Sequence, residues 1–213
     1  IQQCVFLNTA GADIDVGIDV DVDYVTCRIH RCYSEGSPRL LKLDPSNERT
    51  VVSNTKFIAG DGAVPSAGIV ANNNTAQCGA LELDNVSIAN CDAPGIDLGA
   101  ATNIDDGALE SLKLRDVAIQ NVDNQNTRNH ADASASGIYA EKAEFVQSGQ
   151  ISIHDVGSDN AGDAVWLSLG CWGEIETVRH AGTAALGLTA DVTIGRNAAG
   201  TSPLQPDVPQ TSD

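Results

Sequence analysis

A short motif recurs along almost the whole chain, and it constrains the fold more than any single residue does. A polar residue is followed by apolar–any–apolar, then by two residues and a small or apolar one. Clear copies are Asn85-Val86-Ser87-Ile88-Ala89-Asn90-Cys91, Asp116-Val117-Ala118-Ile119-Gln120-Asn121-Val122 and Gln150-Ile151-Ser152-Ile153-His154-Asp155-Val156. Taking the second apolar residue as anchor gives Phe6, Ile29, Phe57, Ile88, Ile119, Ile153, Ile175 and Ile194, about 19 to 34 residues apart. Spacing of that size is the mark of stacked units, each too small to bury its own apolar face.

Two further strand patterns accompany each copy. Leu81-Glu82-Leu83 and Leu112-Lys113-Leu114 precede the polar residue. After a loop of variable length come Leu41-Lys42-Leu43, Ile69-Val70-Ala71, Ile96-Asp97-Leu98, Ile138-Tyr139-Ala140, Val165-Trp166-Leu167 and Leu186-Gly187-Leu188. All alternate with period two, and none has the 3.6-residue spacing of an amphipathic helix. Strands this short need pairing with their own copies in neighbouring units, which stacks equivalent side chains about 4.8 Å apart. The polar corner then becomes a ladder of Thr26, Asn54, Asn85, Asp116, Gln150 and Asp191, able to bond backbone groups at each bend. Gly68, Gly95 and Gly137 stand before the later strand, where a sharp corner would use glycine's conformational freedom.

Coil pattern, turn asparagines and stacked aliphatics together resemble the right-handed parallel β-helix of the pectate-lyase-like superfamily, which includes phage tailspikes. The resemblance covers residues 1–197 and implies a single β-helix of about seven to eight coils. Residues 198–213, rich in Pro, Ser and Thr, read as an extended tail or linker. The opening at Ile1, inside a strand pattern and without a cap, is expected of a processed chain or a piece of a larger protein.

Net charge is −17 over 213 residues. Nucleic acids and anionic membranes would be repelled by it. No stretch approaches the roughly 20 apolar residues of a membrane-spanning helix. The six cysteines form no CxxC pair, which argues against a zinc or redox motif. Cys27, Cys32 and Cys91 fall on inward positions. Cys4 and Cys27 take equivalent places in adjacent units, near enough for a disulfide, although buried free thiols are the favoured expectation.

The middle residue of each later strand points outward, giving the row Lys42, Val70, Asp97, Tyr139, Trp166, Gly187. In a chain only 4% aromatic, two adjacent outward rings beside a carboxylate suit sugar stacking. The long polar excursion Val122–Ser136 emerges just before Tyr139 and brings Arg128 and His130 as further ligand-binding candidates. Hydrolysis of a glycosidic bond needs paired carboxylates, for which Asp97, Asp159 and Asp163 are the candidates. The alternating run Asp13–Asp23 reads as a strand with an acidic outer face. It lacks the spacing of known calcium loops, so no cofactor is expected and Ca2+ is the one cation left open.

Three functions fit this reading. The favoured one is a glycan-recognising virion or cell-surface protein of tailspike type, a homo-oligomer such as a trimer, binding a polysaccharide or surface glycan outside the cell. A secreted polysaccharide lyase or glycoside hydrolase is the second. A structural decoration or appendage subunit without catalysis is the third.

Overall fold

Alternating apolar residues build strands throughout, and the strands find partners far away in sequence. The computed structural model describes residues 1–7, 16–20, 26–36, 39–43, 48–59, 67–71, 78–91, 94–98, 109–122, 136–141, 144–156, 163–168, 172–181, 184–188, 193–194 and 210–212. In chain order the strands are β1 (Val5–Leu7), β2 (Val16–Val20), β3 (Thr26–His30), β4 (Tyr33–Glu35), β5 (Arg39–Leu43), β6 (Arg49–Ile58), β7 (Ala67–Val70), β8 (Cys78–Cys91) and β9 (Ile96–Leu98). They continue with β10 (Leu109–Val122), β11 (Ser136–Glu141), β12 (Glu144–Val156), β13 (Asp163–Ser168), β14 (Trp172–Ala181), β15 (Ala184–Leu188), β16 (Thr193–Ile194) and β17 (Gln210–Ser212).

The described residues contain no helix, and every named strand pair is parallel. Two sheets result. A ten-stranded sheet runs β1-β4-β6-β8-β10-β12-β14-β16, with β3 also on β6 and β17 also on β14. A seven-stranded sheet runs β15-β13-β11-β9-β7-β5-β2. Between β4 and β16 the chain alternates between the sheets, an arrangement compatible with a β-solenoid.

One apolar cluster draws on both sheets. In the seven-stranded sheet, Ile18, Leu41, Ile69, Ile96, Ile138, Val165 and Leu186 form one register column. All but Leu186, whose burial is not described, are buried. In the larger sheet, Phe57, Ile88, Ile119 and Ile153 are buried in another column. Each such side chain contributes roughly 1.5–3 kcal/mol by leaving water. Because the columns are shared, deleting one large residue also strips contacts from the strands above and below.

The two strand patterns flanking the polar corner are one continuous element. β8 and β10 are each 14 residues long and bend in the middle. In β10, Leu112 and Leu114 are buried, Arg115 and Asp116 are both exposed, and burial resumes at Val117 and Ile119. The extra outward residue re-phases the alternation. It takes a left-handed conformation, with φ of 51° at Asn54, 54° at Asn85 and 52° at Asp116. Asparagine and aspartate tolerate that region better than other side-chain-bearing residues. A second left-handed pair, Asn90 (φ 61°) and Asn121 (φ 54°), lies five residues further along.

The N-terminal register differs from the sequence reading. Thr26 pairs with Arg49, not with Asn54. The corner position next to Asn54 is occupied by Arg31 (φ 54°), and the one before it by Gln3 (φ 52°). The anchor column accordingly runs Phe6, Ser34, Phe57, so Ser34 stands where Ile29 was expected. Later, Ile153 pairs with His180, and Ile175 belongs to the leading part of β14, opposite Ser148. Ile194 also faces that leading part, opposite Gly173.

Glycine plays a different part from the one expected. Gly68 and Gly95 are outside the left-handed region. A Cβ on Gly68 would run into Ile88 Cγ2, and one on Gly95 would lie 2.6 Å from Ile119 Cγ2. What these corners need is closeness, not conformational freedom: bare backbone lets the smaller sheet approach the isoleucine column of the larger one.

Candidate functional site

The outward row of the seven-stranded sheet is in register along its full length. Asp19 pairs with Lys42, Lys42 with Val70, and Val70 with Asp97. Asp97 then pairs with Tyr139, Tyr139 with Trp166, and Trp166 with Gly187. At about 4.8 Å between parallel neighbours, Tyr139 stands between the carboxylate-bearing Asp97 and the indole-bearing Trp166. At the row's N-terminal end Lys42 Nζ makes an ion pair with Asp19 Oδ2 at 3.5 Å. Ile18 is buried beside exposed Asp19, as the acidic alternating run requires.

The row is not open along its whole length. Val70 is 4% exposed and Asp97 8%, where a solvent-facing position was expected. Tyr139 is half-buried, and both Asp97 and Tyr139 already interact with other parts of the chain. Asp97 is therefore a shielded carboxylate on the outer side of the sheet, not a freely hydrated one. Asp163 begins β13, opposite Ser136 and Ala184 and three positions before Trp166. Asp159, Arg128 and His130 lie outside the described residues, as does most of the Val122–Ser136 excursion. Among the described residues no cluster of three or more His, Cys, Asp or Glu has the geometry to hold a metal ion.

A second surface follows from the left-handed corners, and sequence reasoning treated it as structural only. Gln3, Arg31, Asn54, Asn85 and Asp116 line a shallow groove of about 440 Å³ across neighbouring strands of the larger sheet. Tyr33, Lys56 and Ser87 border it. Within it Asn85 Nδ2 donates to Asn54 Oδ1 at 2.9 Å; outside it Asn121 Nδ2 donates to Asn90 Oδ1 at 3.2 Å.

The strands that form this groove also carry ion pairs outside it. Arg115 grips Asp84 with two donors, Nε at 2.9 Å from Oδ1 and the second on Oδ2. Those hydrogen bonds, and secondarily the guanidinium charge, hold the Asp84 carboxyl below its usual range. Arg49 meets Glu82 at 2.7 Å. Tyr33 donates its hydroxyl to Glu35 Oε2 at 2.6 Å, and that bond to a carboxylate pushes the phenol up. His30 Nδ1 and Ser53 Oγ lie 2.8 Å apart in the next outward row.

Comparison with family models, curated proteins and solved structures returns no match for this chain. The rows bring aromatic, amide and charged residues into register at a repeat of about 4.8 Å.

Proposed function

We propose that the chain is a right-handed parallel β-helix of about seven to eight coils that recognises a glycan at a virion or cell surface, in the manner of tailspike proteins and within a homo-oligomer. The observation that carries this reading is the register of Tyr139 with Trp166 on one side and Asp97 on the other. Flat rings on adjacent strands match the C–H faces of consecutive sugars, and polar neighbours match their hydroxyls. A net charge of −17 supports a neutral or cationic glycan over a polyanionic one.

Titration calorimetry against a panel of neutral oligosaccharides tests it. Binding by the parent chain should weaken about tenfold or more in Trp166→Ala, equivalent to about 1.4 kcal/mol. No binding across the panel, or equal binding by Trp166→Ala and Tyr139→Ala, would sink it. Shortening of the glycan that is lost in Asp163→Asn would move the reading to a lyase or hydrolase.

The structural-subunit reading has one observation in its favour. Asp97 is buried and engaged within the chain, so this part of the row serves packing as well as display. A trimer whose assembly is broken by Tyr139→Ala, with no glycan bound, would favour it.

A further inference from the structure

Cys4 is held directly opposite Cys32. The pairs Gln2 with His30 and Val5 with Tyr33 bracket it, and Tyr33 N–H donates to the Cys4 carbonyl at 2.9 Å. Cys27, the partner that sequence spacing suggested for Cys4, lies opposite Thr50 instead. Neighbouring parallel strands place Cα atoms about 4.8 Å apart, inside the roughly 4.4–6.8 Å that a disulfide spans.

The two thiols are also oriented alike. Cys4 Sγ donates to the Gln2 carbonyl at 3.3 Å and Cys32 Sγ to the His30 carbonyl at 3.5 Å, each two residues back. They therefore occupy successive places in one inward column, free in this structure. Closing the bond requires the Cβ atoms to approach by about 1 Å, to near 3.8 Å. β1 can yield by that much, because among the described strands it is the terminal one of its sheet.

We propose that Cys4 and Cys32 are a redox pair that closes into an inter-strand disulfide, tying the edge strand β1 to β4. A small-molecule disulfide such as oxidised glutathione is the oxidant. Cys4, the more exposed of the two, gives up its proton and attacks one glutathione sulfur. A glutathione thiolate leaves and takes a proton. Cys32, deprotonated in turn, attacks the Cys4 sulfur of the mixed disulfide and expels the second glutathione. Two protein thiols are oxidised and one glutathione disulfide is reduced to two thiols. The bond closes a loop of 28 residues by position (32 minus 4) and suppresses fraying of an edge that exposes Val5 and Leu7.

Peptide mapping of the full chain decides it. After incubation with oxidised glutathione and blocking of the remaining thiols, trypsin cuts after Arg28, Arg31 and Arg39. The expected product is Ile1–Arg28 joined to Cys32–Arg39, with fragment ions placing the link on Cys4 and leaving Cys27 blocked. Hydrogen exchange at Val5–Leu7 should slow on oxidation, and Cys4→Ser should show neither change. A link from Cys4 to Cys27, or Cys4 and Cys32 both recovered blocked from oxidised, folded protein, overturns the proposal.

Discussion

Asn85 donates its side-chain amide to Asn54 at 2.9 Å while both residues hold left-handed backbone, at φ 54° and 51°. One residue type thus answers two demands of the bend, a tolerated positive φ and a polar group for the ladder. The two can be separated by substitution. Asn85→Ala loses both and should cost about 1–2 kcal/mol. Asn85→Gly restores the backbone freedom and loses only the exposed ladder bond, so it should cost less. Urea denaturation of the two variants checks the order; equal midpoints would mean that backbone strain is not what asparagine relieves here.

Ser34 is 0% exposed, and its hydroxyl has no hydrogen-bond partner among the described residues. It lies in the column between Phe6 and Phe57, where a small residue separates two rings. An unsatisfied buried hydroxyl costs about 1–3 kcal/mol. Ser34→Ala should therefore stabilise the fold, by about 1 kcal/mol, whereas Ser34→Leu should destabilise it by about 1–3 kcal/mol through overpacking. Thermal unfolding reads both signs. A destabilised Ser34→Ala would mean that the hydroxyl is satisfied in solution.

The sequence reveals this architecture because the columns are chemical repeats. The outward row from Lys42 to Gly187 could be written down strand by strand, and its pairings are those of the structure. Asn54, Asn85 and Asp116 could be placed at the bend for the same reason. Near the N-terminus the signal fails, since Gln3 and Arg31 hold the left-handed corner without looking like corner residues. Ile29 is a better apolar anchor by pattern than Ser34, which takes that column five residues further along. Burial of Asp97 was equally illegible, because alternation says which side of a sheet a residue takes and nothing of what lies over that side. The same holds for the groove: the ladder was visible, but the amide-to-amide bonding that lines it was not.

Arg115 and Asp84 give the larger sheet a pH signature. Asp84 has a lowered pKa in the folded chain, so its pairing stabilises fully above the ordinary carboxylate value of about 4. That contribution fades as pH falls through the lower, folded value. With side chains 61% and 39% exposed, water and salt screen most of the attraction. Arg115→Gln should lower the urea midpoint slightly at pH 7 and progressively less as pH falls from about 4 towards about 2, and 1 M salt should shrink the difference at pH 7. A variant equally destabilised across that range would show that Arg115 acts through packing of its stem.

Gly95 is the position where side-chain volume and architecture conflict most directly. A methyl group there would meet Ile119 Cγ2 at 2.6 Å and the Gly137 carbonyl at 3.1 Å. Ile119 is fully buried and Gly137 is backbone of the next strand in the smaller sheet, so neither can simply swing away. Gly95→Ala should cost about 1–3 kcal/mol by overpacking, although alanine suits the backbone conformation. Ile119→Ala alone should cost about 2–5 kcal/mol by opening a cavity. If the two positions compete for the same space, the double variant should be less destabilised than the sum, with a coupling of about 0.5–3 kcal/mol. Strict additivity in equilibrium denaturation would show that the sheets part to admit the methyl, and that contact across Gly95 does not set their separation.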